Sequence, residues 1–224
     1  MTLGIFGDSF CADYRSVDGW PGRLSHTIPT VNYSKKGTSI WYSFEKFLDN
    51  YSKHSHVIFC YTNENRIHHL PEHLNKYSFL QSYHMPEGLK KEMSADVIKE
   101  LVPIWNARKL TFSSRLDNYL YQSIFNDVNR ICRENSIRLV NVMPYELVDH
   151  TSFFIDVVNR SGPCVTALMW LAANESGASL GVPDPRLNHL SRHNNESMYN
   201  LLIDLLEKND TEIISVKEMK EFEL

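Results

Sequence analysis

The run His56-Val57-Ile58-Phe59-Cys60-Tyr61 is apolar at successive positions and is bounded by polar residues. A strand without polar alternation has no face to give to water, which is the situation of strands in a parallel sheet covered on both sides. Parallel strands in turn need long crossovers, and the usual crossover is a helix. This one segment therefore restricts the chain to architectures in which strands and helices alternate.

The rest of the pattern supplies that alternation. Leu3-Gly4-Ile5-Phe6 is a short apolar run ending at Gly7-Asp8-Ser9, and Trp20 to His26 has helical spacing. Thr30 to Ser34 is a second short strand, followed by Lys35-Lys36-Gly37-Thr38 and a helix from about Ser39 to Ser52 with Ile40, Phe44, Phe47, Leu48 and Tyr51 on one face. Ser114 to Asn135 is the strongest helix, with Leu116, Tyr119, Leu120, Ile124, Val128 and Ile131 on one stripe. A fourth strand, Ile137 to Met143, stops at Pro144. Phe153 to Val158 and Val165 to Ala173 are short apolar runs that fit buried helix and strand alike. A closing helix spans Asn194 to Lys208 with Met198, Leu201, Leu202 and Leu205 inward, and Glu212 to Val216 reads as a last strand.

These elements predict an α/β fold, a three-layer α/β/α sandwich around a mainly parallel central sheet, with sites at the carboxyl ends of the strands. A length of 224 residues fits one domain. Between Arg66 and Phe112 the pattern is interrupted by Pro71, Pro86 and Pro103 and holds one helical patch, Gly88 to Trp105, so residues 66–112 read as an insertion or lid.

Charge narrows the class of ligand. Lys and Arg total 23 against 27 Asp and Glu, a net charge of -4, so there is no electrostatic reason to expect nucleic acid or an anionic membrane as partner. A small molecule is the expected ligand. The first residues lack the basic and long apolar regions of a secretory signal, and no run approaches the roughly 18 apolar residues that span a bilayer. Cys11, Cys60, Cys132 and Cys164 are scattered without a Cys-x-x-Cys pair, which argues against a zinc knuckle or disulfide framework. The expectation is a reduced, cytoplasmic setting, in a cell or as the product of a virus-encoded gene.

A serine on the turn between a buried strand and a helix exposes its hydroxyl at the sheet edge, near backbone N–H groups able to stabilise an oxyanion. Gly7-Asp8-Ser9-Phe10 offers that arrangement, although the same tetrapeptide also suits an ordinary capped turn. Position decides between them. A Gly-Asp-Ser tripeptide directly after an N-terminal strand resembles the first block of the SGNH/GDSL serine hydrolases. Gly37, after the second strand and before a helix, is similar to their second-block glycine. Tyr61-Thr62-Asn63-Glu64 partly matches the Gly-x-Asn-Asp third block, with Asn65 as a competing amide. Asp184-Pro185-Arg186-Leu187-Asn188-His189 resembles the last block with a longer spacing between acid and histidine.

The resemblance implies a flavodoxin-like sheet and an esterase that works without metal or organic cofactor. Ser9 would be the nucleophile and His189 the general base and acid, with Asp184, or else a backbone carbonyl, orienting the imidazole. Backbone N–H groups of Ser9 and Gly37 with the Asn63 amide would form the oxyanion hole. The implied substrate is a small acyl ester, with O-acetylated carbohydrate among the candidates. The rival reading is an inactive SGNH-like binding module, for example in a virus particle, suggested by the altered third and last blocks.

Other residues carry weaker readings. His68, His69 and His73 bunch in the manner of zinc ligands, yet Pro71 breaks the helix that would align them, and a solvated loop is preferred. Cys11 is read as a small buried residue and not as a nucleophile. His193 is read as a surface residue of the last helix. Trp41, Tyr42, Phe44 and Phe47 are read as packing residues, not as a sugar platform.

Overall fold

The computed structural model describes residues 1–12, 19–62, 74, 93–111, 114–144, 162–168, 171, 190–208 and 211–222. Six strands form a single sheet: β1 (Leu3–Phe6), β2 (Thr30–Asn32), β3 (His56–Cys60), β4 (Arg138–Val142), β5 (Cys164–Thr166) and β6 (Ile213–Ser215). Their order is β2-β1-β3-β4-β5-β6 and every pairing is parallel. The expected mainly parallel sheet is thus wholly parallel among the described strands.

Side-chain alternation assigns the two faces. Leu3 and Ile5 of β1, Ile58 and Cys60 of β3, and Val140 and Val142 of β4 pack on one side, against Trp20 and Leu24 of α1 (Trp20–Thr27) and Met198, Leu202, Leu205 and Leu206 of α5 (Arg192–Glu207). Phe6, Val57, Phe59, Tyr61 and Leu139 pack on the other side, against Ile40, Phe44 and Phe47 of α2 (Ile40–Asn50) and Ile124, Phe125 and Val128 of α4 (Ser114–Glu134). Period-two alternation with apolar residues on both faces is what a sheet between two helical layers requires. Two of the helices, α2 and α5, start on side-chain caps: Ser39 Oγ accepts from Tyr42 N–H at 3.4 Å and Ser191 Oγ from Asn194 N–H at 3.1 Å. No helix among the described residues is long and apolar enough to cross a membrane.

Several expectations shift in detail. The stripe of α4 is rotated: Leu116 and Tyr119 are exposed, whereas Tyr121, Ile124, Phe125, Val128 and Cys132 are buried. A polar contact contributes to the choice of face, because buried Asn129 exchanges hydrogen bonds with Asn141 of β4 at 3.2 and 3.3 Å. Leu48, expected inward, is exposed. Helix α3 (Ala95–Thr111) begins later than the patch in the sequence and runs through Pro103, held by an apolar cluster that includes Leu101, Val102, Ile104 and Trp105. Packing on both sides of the proline offsets the lost backbone bond. The ambiguous run from Val165 splits: β5 ends at Thr166, Ala167 takes the left-handed region at φ 67°, and Leu168 is already helical.

The topology places the site. From β1 the chain crosses to β2 on one side and then returns to β3 on the other, so β1 and β3 flank the point where strand order reverses. Ligands of open parallel sheets bind outside the carboxyl ends of strands at such a point.

Candidate active site

The chain leaves β1 at Gly7, where no larger residue fits. A Cβ there would lie 2.3 Å from Cys11 Sγ, 2.8 Å from Cys60 Cβ and 2.9 Å from the Cys60 carbonyl oxygen. The backbone then coils once, the Asp8 carbonyl accepting from Cys11 N–H at 3.2 Å and Ala12 N–H at 2.8 Å. Within residues 3–12 every residue is buried except Ser9. The turn therefore presents one side chain outward, and it is a primary alcohol.

Each residue flanking Ser9 is tied to another loop at the same end of the sheet. Asp8 is fully buried; its Oδ1 accepts from Phe10 N–H at 3.1 Å and its Oδ2 from the Thr62 hydroxyl at 2.6 Å, which joins the turn to the segment leaving β3. The Cys11 carbonyl accepts from Asn32 Nδ2 at 2.7 Å, while Asn32 Oδ1 accepts from Ser34 N–H at 2.9 Å. The Gly7 carbonyl accepts from Lys35 N–H at 3.2 Å, so the loop after β2 is held against the turn by side chain and backbone together. The Phe10 carbonyl accepts from Trp20 Nε1 at 3.1 Å. Trp20 N–H donates to Asn195 Oδ1 at 3.0 Å, and Asn195 Nδ2 donates to the Leu190 carbonyl at 3.0 Å.

Gly37 sits in the loop that Asn32 and Lys35 fasten, with φ at 72°, a conformation that favours glycine. The Thr38 hydroxyl donates to the Lys35 carbonyl at 2.7 Å and closes that loop just before α2. Ser9 and Gly37 are thus brought to neighbouring strand ends. Asn63, Asn65, Asp184 and His189 lie outside the described residues, as do His68, His69 and His73. The residues next to two of them are placed, however: Thr62, before Asn63, is bonded to Asp8, and Leu190, after His189, is buried and linked through Asn195 and Trp20 to Phe10.

Most of the remaining candidates fall as the sequence suggests, but Tyr42, expected to pack inward, is half-buried with its ring beneath the Lys35 and Lys46 ammonium groups. Cys11 is fully buried, its Sγ 3.1 Å from Ser34 Oγ. His193 is exposed on α5, with Nε2 3.0 Å from the Glu221 carbonyl oxygen. Phe44 and Phe47 are buried, and Trp41 Nε1 donates to Glu45 Oε1 at 2.9 Å. One carboxylate and thiol group does gather under the turn: ligand atoms of Asp8, Cys11 and Cys60 lie within 4.8 Å of one another. Both Asp8 oxygens already accept bonds that shape the turn, so a metal there would compete with the geometry that exposes Ser9.

Tyr61 shows why a residue other than glycine is accommodated at the end of β3. Its ring is buried against Phe59, Tyr121 and Phe125, and its hydroxyl donates to Asn141 Oδ1 at 3.1 Å. Burial, with smaller contributions from Cys164 and Cys132, holds its phenol well above the ordinary tyrosine range, so it stays neutral and anchors the strand end to α4. Thr62, Asn32, Trp20 and Asn195 are the residues that sequence reasoning missed. For Thr62 the only local signal was its place between a buried strand and Asn63.

No protein-family model matches the sequence, and no curated protein matches it. Solved structures do. TesA superposes with a TM-score of 0.52 at 10% identity, covering 94% of this chain and 100% of TesA. The psychrotrophic esterase EstA from Pseudoalteromonas sp. gives 0.49 at 11% identity over 92% of this chain and 96% of EstA. A G-D-S-L family protein from Desulfitobacterium hafniense gives 0.45 at 15% identity, over 91% and 98%. The likeness to TesA shows the fold, a three-layer α/β/α architecture around the parallel sheet.

Proposed function

We propose that this protein is a serine esterase that cleaves small acyl esters through an acyl-enzyme on Ser9. The observation that carries the reading is the turn after β1, where Ser9 alone among residues 3–12 escapes burial while its neighbours fasten the surrounding loops. The fold shared with TesA, with the turn at the carboxyl end of β1, is compatible with it.

In this reading Ser9 Oγ attacks the ester carbonyl carbon while His189 removes its proton. The carbonyl π electrons move to oxygen, and the oxyanion accepts from the N–H groups of Ser9 and Gly37 and from the Asn63 amide. Collapse of the intermediate breaks the bond to the alcohol, which leaves with the proton from His189, and Ser9 holds the acyl group as an ester. Water then repeats the sequence and releases the acid. Asp184 orients the imidazole. The scheme uses no metal or organic cofactor, and O-acetylated carbohydrate is one substrate class it would accept. A reduced, cytoplasmic setting goes with this reading, since all four cysteines are buried free thiols.

The test is a fluorophosphonate probe and p-nitrophenyl acetate, applied to the wild type and Ser9→Ala. The reading expects labelling and turnover in the wild type and neither in the variant. A wild type that is unlabelled and inactive on short p-nitrophenyl esters would leave the fold as a binding module and refute the proposal.

A further inference from the structure

We infer that Thr62 is a positioning residue of this hydrolytic site, holding the Ser9 turn through the Asp8 carboxylate; the role rests on the acyl-enzyme reading above. Asp8 precedes Ser9 and is fully buried, and its two oxygens do different jobs. Oδ1 receives Phe10 N–H, which folds the backbone around Ser9, and Oδ2 receives the Thr62 hydroxyl at 2.6 Å. The second bond is a side-chain link, among the described residues, between the turn after β1 and the chain leaving β3, the two strands that flank the reversal point of the sheet. Thr62 is itself buried, so it acts through Asp8 and does not touch substrate.

The chemistry makes the hydroxyl the relevant part of the side chain. A carboxylate oxygen out of water depends on the donors around it, and a short bond to a charged acceptor is stronger and more directional than a neutral one. Removing this donor frees the Asp8 carboxylate to reorient toward other partners. Because Oδ1 of the same group holds Phe10 N–H, any such reorientation changes the backbone on both sides of Ser9. Small displacements of an attacking atom cost large factors in rate, since the bound geometry must already approach that of attack. The effect belongs in kcat and in acylation, not in substrate binding.

Three variants separate this role from simple packing. Thr62→Val keeps the volume and both branches but lacks the donor, whereas Thr62→Ser keeps the donor and loses the methyl group. Positioning predicts that Thr62→Val loses about tenfold or more in kcat on p-nitrophenyl acetate, with KM nearly unchanged, and is labelled by fluorophosphonate correspondingly slowly. Thr62→Ser should retain most activity. Packing predicts the opposite order, so a Thr62→Val as active as wild type, or more active than Thr62→Ser, overturns the inference. If Thr62→Val does not fold, as judged by circular dichroism, Thr62→Ala against Thr62→Ser isolates the hydroxyl in the same way. A wild type without Ser9-dependent turnover brings down the esterase reading and this role together, while an active wild type with an unaffected Thr62→Val removes Thr62 alone.

Discussion

Replacing Gly7 by alanine adds one methyl group at the junction of β1 and the Ser9 turn, where three atoms already occupy its place. Two of them, Cys60 Cβ at 2.8 Å and the Cys60 carbonyl oxygen at 2.9 Å, belong to β3, which is paired on both sides and has no freedom to retreat. The third, Cys11 Sγ at 2.3 Å, is a side chain, but it is buried and in contact with Ser34 Oγ. Overpacking of this kind costs roughly 1–3 kcal/mol, and the rigid neighbours put Gly7→Ala near 3 kcal/mol by that scale. For a domain of this size each kcal/mol lowers Tm by about 2–4 °C, so the drop should be about 6–12 °C. Calorimetry of wild type, Gly7→Ala, Cys11→Ala and the double variant gives the full cycle. If Cys11 Sγ is the tightest obstacle, the double variant recovers about 1 kcal/mol or more relative to the sum of the single losses, while the Cys60 contacts keep it below wild type. A Gly7→Ala protein melting within about 2 °C of wild type, or a cycle with no coupling, would refute the close approach inferred at this junction.

Two further outcomes follow from other parts of the molecule. A Cβ at Gly162 would lie 1.7 Å from the Leu139 carbonyl oxygen, beside the bond from Asn141 N–H to the Pro163 carbonyl, so Gly162→Ala should cost roughly 4 kcal/mol or more; a wild-type denaturation midpoint would contradict this. His54 and His56 are both held below the ordinary histidine range, His54 by burial and then by Lys53, His56 by burial and then by the amino terminus and Arg138. Between these lowered values and about 6.5 the unfolded chain binds more protons, so their contribution is fully present above that pH and is lost as pH falls. Tm should therefore decrease from about pH 7.5 to about pH 5.5, and His54→Gln should flatten the slope, by at most about 1.4 kcal/mol per pH unit for one proton. A slope unchanged in His54→Gln would count against this assignment.

Much of this architecture is legible in the chain itself, and the cases where it is not share a cause. Strand β3 could be read because its apolar run is short, rich in β-branched and aromatic residues and bounded by polar ones, which together favour a strand buried on both faces. Helix α4 was equally visible as a helix, yet Leu116 and Tyr119 of its apparent stripe are exposed while Asp117 and Asn129 are buried. Periodicity reports that an apolar face exists, not which residues the neighbouring layer covers. Val165 to Ala173 was ambiguous because a short apolar run carries no period, and the decision between strand and helix is made at Ala167, where the backbone reverses its sense. Pro103 marked a break that packing overrides.

The site divides along the same line. Gly7-Asp8-Ser9 after an apolar strand and Gly37 before a helix are local features: a tight approach, a local side-chain bond and a left-handed backbone are encoded within a few residues, so the sequence alone determined where the turn and its serine would stand and which loop would neighbour them. What fastens those pieces together is not local. Thr62 reaches Asp8 across 54 residues and Asn195 reaches Trp20 across 175, and each contact depends on side chains meeting only after the strands have paired in the order β2-β1-β3 and α5 has docked beside α1. A threonine or an asparagine in the chain carries no mark of such a partner, because a hydrogen bond is a property of two positions in space. Tertiary structure therefore decided that Ser9 is the one residue of its turn left facing outward, and which side chains hold it there.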